Sequence, residues 1–356
     1  MDIEFHYYIT GIIADYAGFT KNEVEIIAYS SQFVDNNDVS IEVGEKGDPS
    51  YLKNYISQTM NILKAQEKLK RIYPIFHFVP GNPLDPRANR TDGKMHHFNC
   101  TPNSPMANSF FDAACLVDDN TRLYRIGIAT HTYVDTWAHQ NFVGWGDNFN
   151  GFKLNPLPNY GHADAGHHPD FIANIWDDTR LTKSAVSNNH RFLGAAKALF
   201  NKYLAYHIKE ETYTKSDAPA WEKLQNTLEK LFGPGWGGSD NKDRDQRIAA
   251  YKKQINKKWV DNYERGKWLE DAITKRVRGL DDSKNLFPNW GLFATANEMM
   301  AETHLFEDKY SWKKGVDWKK SDWYLFQKAI IAHEKFALDK LSPIFKSVMG
   351  IDLRQA

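Results

Sequence analysis

Three residues that can bind a metal ion follow one another at intervals of four in residues 127–142, GIATHTYVDTWAHQNF. They are His131, Asp135 and His139. On an α-helix each step of four residues advances about 40° around the axis, so these side chains share nearly one face. Imidazole nitrogens and carboxylate oxygens both bind divalent cations such as zinc. The spacing therefore predicts a metal-binding helix face, although Asp135 could instead orient a histidine or form an i,i+4 pair.

Two further candidates lie in predicted helices near the start of the chain, and nine of the 13 histidines fall within residues 1–168. His6 begins an apolar helical segment, and taken alone it is more simply a structural histidine. Asp35 ends the next helical segment, where a negative charge opposes the helix dipole and therefore indicates another role. Asp38 is a near neighbour that could take the same role.

Two loops rich in proline, glycine and asparagine contain the remaining candidates. Long loops in compact proteins are usually functional or disordered, and histidines in both loops favour function. Residues 80–106 include KMHHFNC, with His97 and its neighbour His96. Residues 143–171 include GHADAGHHPD, a histidine-dense segment typical of metal sites, which does not by itself say which residues bind. Its candidates are His162, Asp164, His167, His168 and Asp170.

The two halves of the chain differ in charge. Residues 1–170 contain 13 Lys and Arg against 20 Asp and Glu, whereas residues 171–356 contain 32 against 25. An acidic first half suits cation binding, and a basic second half suits an anionic surface or substrate; compositional drift is an equally simple interpretation. The whole chain has a formal net charge of zero, which gives no reason to expect a general nucleic-acid binder.

Apolar residues at helical spacing recur along the chain, so the sequence predicts an all-α fold with a few short extended pieces. The best strand candidates are DVSIEVG and IYPIFHFVPG. Residues 1–171 are predicted to form a metal-binding catalytic core and residues 172–356 a helical C-terminal region packed on it, with a single domain as the alternative. Gly18 ends the first helix, and Thr20 with Glu23 forms a capping-box pattern for the second. Helices are predicted at residues 7–19, 20–37, 48–74, 104–142 (as two helices), 184–208, 218–232, 247–274 and 321–345.

Several other kinds of site are excluded by their missing motifs. No His is followed directly by Asp, so the defining pair of HD-type phosphohydrolases is absent. The segment HEKFA has Ala337 where a zincin needs its second His. No GxSxG, P-loop or GxGxxG motif occurs. Cys100 and Cys115 are too few for a disulfide framework.

In their order along the chain, the candidate ligands resemble those of the zinc-dependent phospholipase C / P1 nuclease superfamily, all-α enzymes that hydrolyse phosphate esters with a three-zinc cluster. That pattern runs from a His in an N-terminal helix and an Asp after a second helix to a His in a loop. It continues with His-x-x-x-Asp on a central helix, a further His, and a final His followed by an acidic residue. The matching segments here are FHYYITGIIADYA, IIAYSSQFVD, HHFNC, THTYVDTWAHQNF and GHADAGHHPDF. The opening of the chain resembles an uncharacterised bacterial branch of this superfamily, and the likeness covers residues 1–171.

The resemblance implies a multi-helix phospholipase C/P1 nuclease-like bundle with long metal-carrying loops and two or three Zn²⁺ ions. One zinc would be held by Asp35, His97, His131 and Asp135. A second, more open zinc would be held by His139, His162 and Asp170. A third would be held by His6 and by Asp135, which would bridge two ions.

Three features depart from this superfamily. Its mature enzymes begin with a Trp whose amino group and carbonyl bind the third zinc, whereas this chain begins Met-Asp, so Asp2 or Asp15 could take that role. The gap from Asp135 to His139 is shorter than usual. Gly166 stands where the final Glu is expected, so the second site could be completed by Asp164, His167, His168 or Asp170.

These features predict a phospholipase C-like, zinc-dependent hydrolase of phosphate esters in which a metal-bound water is the nucleophile and Asp35 accepts its proton. A nuclease or nucleotidase on the same scaffold is one alternative, which aromatic residues near the site and the basic second half would serve. A metal-stabilised helical interaction module without activity is another. The predicted partners are a phosphate ester, either phospholipid or nucleic acid, and a membrane surface.

The start of the chain predicts its location. MDIEFHYYIT is acidic, with no Lys or Arg before Lys21, which does not fit a secretory signal. No apolar run approaches the ~20 residues that a membrane-spanning helix needs. The sequence therefore predicts a cytoplasmic protein, with export by a route independent of a signal peptide as the alternative.

Overall fold

The computed structural model describes residues 1–59, 66–152, 159–211, 220–255, 263–276 and 309–355, and these are mostly helical. A π-helix over Glu4–Ile9 runs directly into the first α-helix. The α-helices are α1 (Thr10–Ala17), α2 (Lys21–Asn36), α3 (Gln66–Lys70), α4 (Tyr73–Phe76), α5 (Pro105–Cys115), α6 (Arg122–Ala138), α7 (Asn188–Lys209), α8 (Trp221–Phe232), α9 (Arg244–Ile255), α10 (Lys267–Ala272) and α11 (Asp322–Met349).

Short strands accompany the helices. In chain order they are β1 (Glu42–Val43), β2 (Leu52–Lys53), β3 (Gly146–Asp147), β4 (Asn159–Tyr160), β5 (Ile175–Asp177), β6 (Ala185–Ser187), β7 (Ile273–Arg276) and β8 (Lys309–Trp312). One sheet has the strand order β2-β1-β8-β7, and two hairpins pair β3 with β4 and β5 with β6. In the larger sheet Val43 lies beside Tyr310 in a parallel pair, and Ile273 lies opposite Trp312 in an antiparallel pair.

Local signals set the ends of the first two helices as predicted. Gly18 ends α1 with a φ of 102°, in the left-handed region that favours glycine. At the start of α2, the Glu23 carboxylate accepts hydrogen bonds of 2.8 Å from the backbone N–H and the hydroxyl of Thr20.

Parts of four predictions of secondary structure were wrong. Residues 185–187 of the helix predicted at 184–208 form β6, and residues 273–274 of the helix predicted at 247–274 belong to β7.

The other two cases are at residues 72–81 and 48–74. The segment IYPIFHFVPG contains α4, not a strand, because Pro74 in the first turn begins a helix well. The helix predicted over residues 48–74 does not begin at Pro49, since Leu52 and Lys53 pair with β1 as a strand. Residues 60–65 of that prediction lie outside the described residues.

The central helix is α6, which packs against α2, α5, α7 and α11. Its contact with α2 is close because residue 127 is glycine. A Cβ there would clash with the Cβ of Ser30 and lie 2.7 Å from the carbonyl oxygen of Ile27. This approach brings the C-terminal end of α2 beside the middle of α6, where the metal-ligand candidates lie.

Buried apolar side chains from both predicted regions form one core. Its members include Phe5 and Ile128 from the first region and Phe192, Leu199, Phe326 and Leu341 from the second. Residues 172–355, where described, therefore pack on the same core as residues 1–171, and the boundary between two regions stays a prediction. Among the described residues, no helix is long and apolar enough to cross a membrane.

The buried His333 of α11 leads to a prediction on acid stability. Its ring packs against Phe76 and Phe110, and burial lowers its pKa from 6.5 to about 4. Between these pH values the unfolded chain binds a proton that the folded protein does not. We therefore expect the free energy of unfolding to fall by about 3 kcal/mol because of His333 as the pH drops from 6.5 to 4.

The measurement is urea unfolding of the wild type and His333→Phe across this pH range. Above pH 6.5 the two proteins are expected to differ in free energy of unfolding by a constant amount, because protonation of His333 no longer contributes. Below it, the wild type loses stability faster. Equal slopes for both proteins would contradict a neutral His333 in the folded state.

Candidate metal centre

Asp135 lies at the middle of the candidate site, on the last turns of α6, with its side chain 1% exposed. Its Oδ2 atom is 3.2 Å from Nε2 of His131 and 3.3 Å from Nδ1 of His77. Nδ1 of His139, at the end of the same helix, is 3.5 Å away. One carboxylate oxygen therefore faces three imidazoles.

The other oxygen of Asp135 faces the N-terminal segment. Its Oδ1 atom is 3.1 Å from Nε2 of His6, which the π-helix holds in the core, and 2.5 Å from the amino group of Met1. The His6 ring stacks on the His131 ring with centroids 3.8 Å apart. The two oxygens of Asp135 thus point to two different sets of nitrogen atoms, as in a carboxylate that bridges two cations.

Asp35, from the C-terminal end of α2, closes the cluster on the third side. Its Oδ1 atom is 3.7 Å from Nε2 of His131 and 3.8 Å from Nδ1 of His77. Its Oδ2 atom is 4.0 Å from Nε2 of His6. The Asp35 side chain is 24% exposed, so it is the member of this cluster that water reaches most easily.

A second group consists of His139, His162 and Asp170. Asp170 places Oδ1 3.3 Å from Nε2 of His139 and Oδ2 3.3 Å from Nε2 of His162. The His162 side chain is 19% exposed, comparable to the 24% of Asp35, so each group has one member that water can reach. His139 therefore contacts both groups, through Nδ1 on one side and Nε2 on the other.

Four of the imidazoles are oriented in the same way: one ring nitrogen faces a backbone carbonyl and the other faces the cluster. The pairs are Nδ1 of His131 with Ser31 (2.8 Å), Nε2 of His77 with Ser57 (2.9 Å), Nδ1 of His139 with His77 (2.7 Å) and Nδ1 of His162 with Gly166 (2.7 Å). A carbonyl oxygen only accepts, so the nitrogen that faces it bears the proton. In the neutral ring the other nitrogen then presents its lone pair, which is how metal-binding histidines are usually held.

Some of these lone pairs face one another at short distance, which is unfavourable unless a cation lies between them. Nδ1 of His77 and Nε2 of His131 are 3.0 Å apart, and neither bears a proton if both rings are neutral. Nδ1 of His6 is buried without a hydrogen-bond partner, and its Nε2 atom faces Oδ1 of Asp135 at 3.1 Å. Two ligands of one tetrahedral zinc, each about 2.0–2.2 Å from it, are about 3.3–3.6 Å apart, close to the spacings here. The donor set therefore fits a divalent cation.

The electrostatics of the cluster favour the same protonation state. Burial lowers the pKa of His139 to about 4 and holds that of His6 well below its ordinary value. Burial alone would raise the pKa of Asp135, but His139 and the Met1 amino group outweigh it and keep that pKa well below the usual range. His6 and His139 are thus neutral and Asp135 is ionised near neutral pH, as metal binding requires.

Comparison with known proteins gives a family for the chain. The profile of a family of unknown function, DUF6765, matches residues 1–341. This chain belongs to the DUF6765 family. No curated protein and no solved structure matches this DUF6765 protein. The geometry of the centre is therefore the main guide to what it does.

Seven of the eight predicted ligands of the DUF6765 protein lie in these groups: His6, Asp35, His131, Asp135, His139, His162 and Asp170. Of the candidates to complete the second group, Asp170 is the one that lies between His139 and His162. Asp164 accepts a hydrogen bond from the backbone of Phe152, and His168 pairs with Asn174. His167 is 3.6 Å from Asp170, but its side chain is 74% exposed.

His97 is the predicted ligand that the structure places elsewhere. Its side chain is exposed, and among the described residues it belongs neither to the cluster around Asp135 nor to the group of His139, His162 and Asp170. Its neighbour Phe98 is buried against Trp145 and Phe345, which turns the adjacent side chain outward. The imidazole beside Asp135 is that of His77 instead.

Sequence reasoning missed His77, which follows α4 directly. One signal could have found it: His77 is the one polar residue in the apolar run IFHFV, and a buried polar side chain needs a partner. The contacts of α4 with α6 and α11 hold it in place.

A buried ion pair holds the π-helix that bears His6. The Glu4 carboxylate is fully buried, and Arg247 of α9 donates two hydrogen bonds of 2.8 Å to it. Tyr251, one turn later, donates a third of 2.9 Å. A helix from the second half of the chain thus fixes the position of an imidazole in the first.

Removing the Arg247 guanidinium is expected to leave Glu4 as an unpaired buried charge. We expect Arg247→Met to lower the free energy of unfolding by about 3–5 kcal/mol, measured by urea denaturation. The double variant Glu4→Gln/Arg247→Met is expected to lose less free energy of unfolding than Arg247→Met alone, because it buries no unpaired charge.

Arg354→Met is the matched control, since Arg354 pairs with Asp339 at the surface, where both side chains are more than half exposed. Its effect is expected to stay below about 1 kcal/mol. If Arg247→Met were no more harmful than Arg354→Met, the Glu4 pair would not support the π-helix.

Proposed function

We propose that this DUF6765 protein is a zinc-dependent hydrolase of phosphate esters with a phospholipase C/P1 nuclease-like helical fold. The observation that supports the proposal most is the arrangement around Asp135. Its two oxygens face separate sets of nitrogen atoms, and the surrounding imidazoles are held by backbone carbonyls with their lone pairs inward. The Met1 ammonium, 2.5 Å from one oxygen of Asp135, neutralises only part of this set, and inward lone pairs that face no donor are costly to bury without a further cation.

Three ions are proposed, two in the cluster around Asp135 and one in the second group. Asp35, His77, His131 and Asp135 would hold the first, with His77 in the place first predicted for His97. His139, His162 and Asp170 would hold the second. His6, together with Asp135 as the shared ligand, would hold a third.

Zinc ions bound there would acidify a coordinated water and take up negative charge from phosphoryl oxygens. The side chains of the chain supply the remaining parts of the reaction. Asp35 is the proposed proton acceptor, because its carboxylate is in the cluster and yet is 24% exposed. His139 contacts both groups and fixes their separation. Buried rings nearby, such as Phe78 stacked 4.2 Å from the His139 ring, limit the access of water.

The test combines elemental analysis with hydrolysis of a generic phosphodiester, bis(p-nitrophenyl) phosphate. We expect bound zinc, hydrolysis that a chelator abolishes, and recovery on addition of zinc. Bound zinc without hydrolysis of any phosphodiester would overturn the enzyme proposal in favour of a metal-stabilised module. Protein without bound metal would overturn the metal centre itself.

The substrate class needs a separate comparison. Phosphatidylcholine and single-stranded DNA are offered at equal phosphodiester concentration to the zinc-loaded protein. We expect faster release of phosphocholine from the lipid than of nucleotides from DNA. The reverse order would assign a nuclease on the same scaffold.

A further inference from the structure

A second feature of the chain lies outside the metal centre, in residues 311–328, SWKKGVDWKKSDWYLFQK. This segment contains the triplet Trp-Lys-Lys twice. In total it has five Lys, two Asp, three Trp and one Tyr. It leaves β8, turns through Gly315 and enters α11. We call its half-buried and exposed side chains the basic aromatic patch: Trp312, Lys313, Lys314, Val316, Trp318, Lys319 and Tyr324.

The aromatic side chains of the patch are held by one another. The Trp312 and Trp318 rings stack with centroids 4.7 Å apart and 18° between their planes. The Tyr324 ring meets Trp318 edge-on at 4.9 Å. The indole N–H of Trp312 donates to the carbonyl of Ser50 at 2.8 Å, and Trp323 is buried beneath. The patch is therefore a rigid surface and not a loose loop.

The lysines of the patch have little to neutralise them. Lys313, Lys314 and Lys319 are exposed and form no ion pair with any described residue. Asp317 is 3.2 Å from Lys320 and so is already paired. Asp322 accepts a hydrogen bond from the Tyr124 hydroxyl, away from these lysines. At least three positive charges are therefore free to meet an anionic partner.

The turn between β1 and β2 marks one limit of this positive surface. Residues 42–53 contain three acidic residues against two lysines. Glu42 lies within 3.4 Å of Lys46 and 3.6 Å of Lys53, so these lysines are paired. On this side of the sheet, the unpaired lysines of the patch therefore come from the segment between β8 and α11 and not from the turn.

We propose that the basic aromatic patch binds the surface of an anionic lipid bilayer. Tryptophan and tyrosine rings are favoured at the boundary between hydrocarbon and water, and lysines reach from there to anionic headgroups. Val316 lies between the two Trp-Lys-Lys triplets and is 38% exposed, so it adds an apolar contact with the bilayer. This is a peripheral contact and does not depend on the metal centre or its activity.

The ring geometry favours a bilayer over single-stranded nucleic acid. Proteins that bind single-stranded nucleic acid stack the bases on aromatic rings whose faces are free. Here Trp312 and Trp318 cover one face of each other, and the Lys319 amino group lies 5.3 Å from the Trp318 ring centre. The patch presents ring edges, an aliphatic side chain and ammonium groups, which suit an interface more than a stack of bases.

The test is sedimentation of the full chain with vesicles of equal parts phosphatidylserine and phosphatidylcholine. We expect binding that weakens with added salt, and little binding to phosphatidylcholine alone. The triple variant K313Q/K314Q/K319Q is expected to bind about a hundredfold more weakly. Trp318→Ala is expected to cost about tenfold, the effect of burying roughly half of a large aromatic side chain.

The matched control is K183Q/K197Q/K230Q, which removes three exposed lysines elsewhere and is expected to bind within about twofold of the wild type. Equal losses for the two triple variants would overturn the proposal, as would a wild type that ignores anionic vesicles. Binding of oligothymidylate that the patch variant alone loses, with vesicle binding unchanged, would assign the patch to nucleic acid instead. Far-ultraviolet circular dichroism identical to the wild type shows that each variant is folded.

Discussion

Asp135→Asn is expected to lose most of the bound zinc and to lower phosphodiester hydrolysis by about a thousandfold, or about 4 kcal/mol in transition-state stabilisation. The amide has nearly the shape of the carboxylate but no charge. One of its two oxygen positions becomes an NH₂ group, which cannot bind a cation. Since the two oxygens of Asp135 face different sets of nitrogen atoms, either orientation of the amide damages one of the proposed metal positions. Zinc content and the hydrolysis rate of bis(p-nitrophenyl) phosphate are the measurements.

Asp164→Asn is the matched control for this substitution. Asp164 lies in the same histidine-rich loop as Asp170, but it is exposed and bonds to the backbone of Phe152. Its replacement is expected to leave zinc content unchanged. A folded Asp135→Asn protein that keeps its zinc content and its hydrolysis rate would contradict the proposal that this carboxylate is shared between ions.

The second large effect is expected at His77. His77→Ala removes the Nδ1 atom that lies 3.3 Å from Asp135 and 3.0 Å from His131. One of four proposed ligands of the first ion is then missing, and we expect zinc affinity at that position to fall by at least a hundredfold, beyond the loss seen when supporting residues are changed. Competition with a zinc-binding dye measures the affinity.

His97→Ala provides the contrast that separates the two histidines. Its exposed side chain is in none of the groups of the described residues, so zinc affinity is expected to stay within about twofold of the wild type. The opposite result, with loss at His97 and none at His77, would favour the pattern first inferred from sequence. It would require the loop of residues 80–106 to close over the cluster.

The part of the site that lies on one helix could be predicted from sequence. His131, Asp135 and His139 share a face because helical periodicity is a local property that spacing reveals directly. The boundary between α1 and α2 could be predicted for the same reason, since Gly18 and Thr20 act on their immediate neighbours. His162 and Asp170 lie close enough in sequence for their loop to indicate both.

The remaining parts depend on contacts between distant segments. His97 was predicted because HHFNC matches the loop His of the superfamily pattern, whereas a single His in an apolar run is typical of the core. Nothing in IFHFV shows that its position beside α6 is set by the packing of α4 against two other helices. The strand at Leu52 was missed for a similar reason, because the sheet that it joins through Val43 continues to Tyr310, which is far along the chain.

The fold class could be predicted coarsely for a physical reason. Helical spacing of apolar residues recurs in α6, α7, α8 and α11 and identifies them as helices, although α6 is buried on nearly every side. It does not give the order in which they pack. Gly127 is an example: its sequence neighbourhood does not show that α2 passes against it, although that contact places Asp35 beside His131.

The dual position of His77 has a consequence for how the centre would fill. Its ring faces Asp135 in one group, while its own carbonyl oxygen accepts a hydrogen bond of 2.7 Å from Nδ1 of His139 and so orients a ligand of the other group. Any shift of this one residue moves a donor in both places at once. Binding of a cation in the first group should therefore position the ligands of the second. A zinc titration should be sigmoidal, with little protein that has only one group filled.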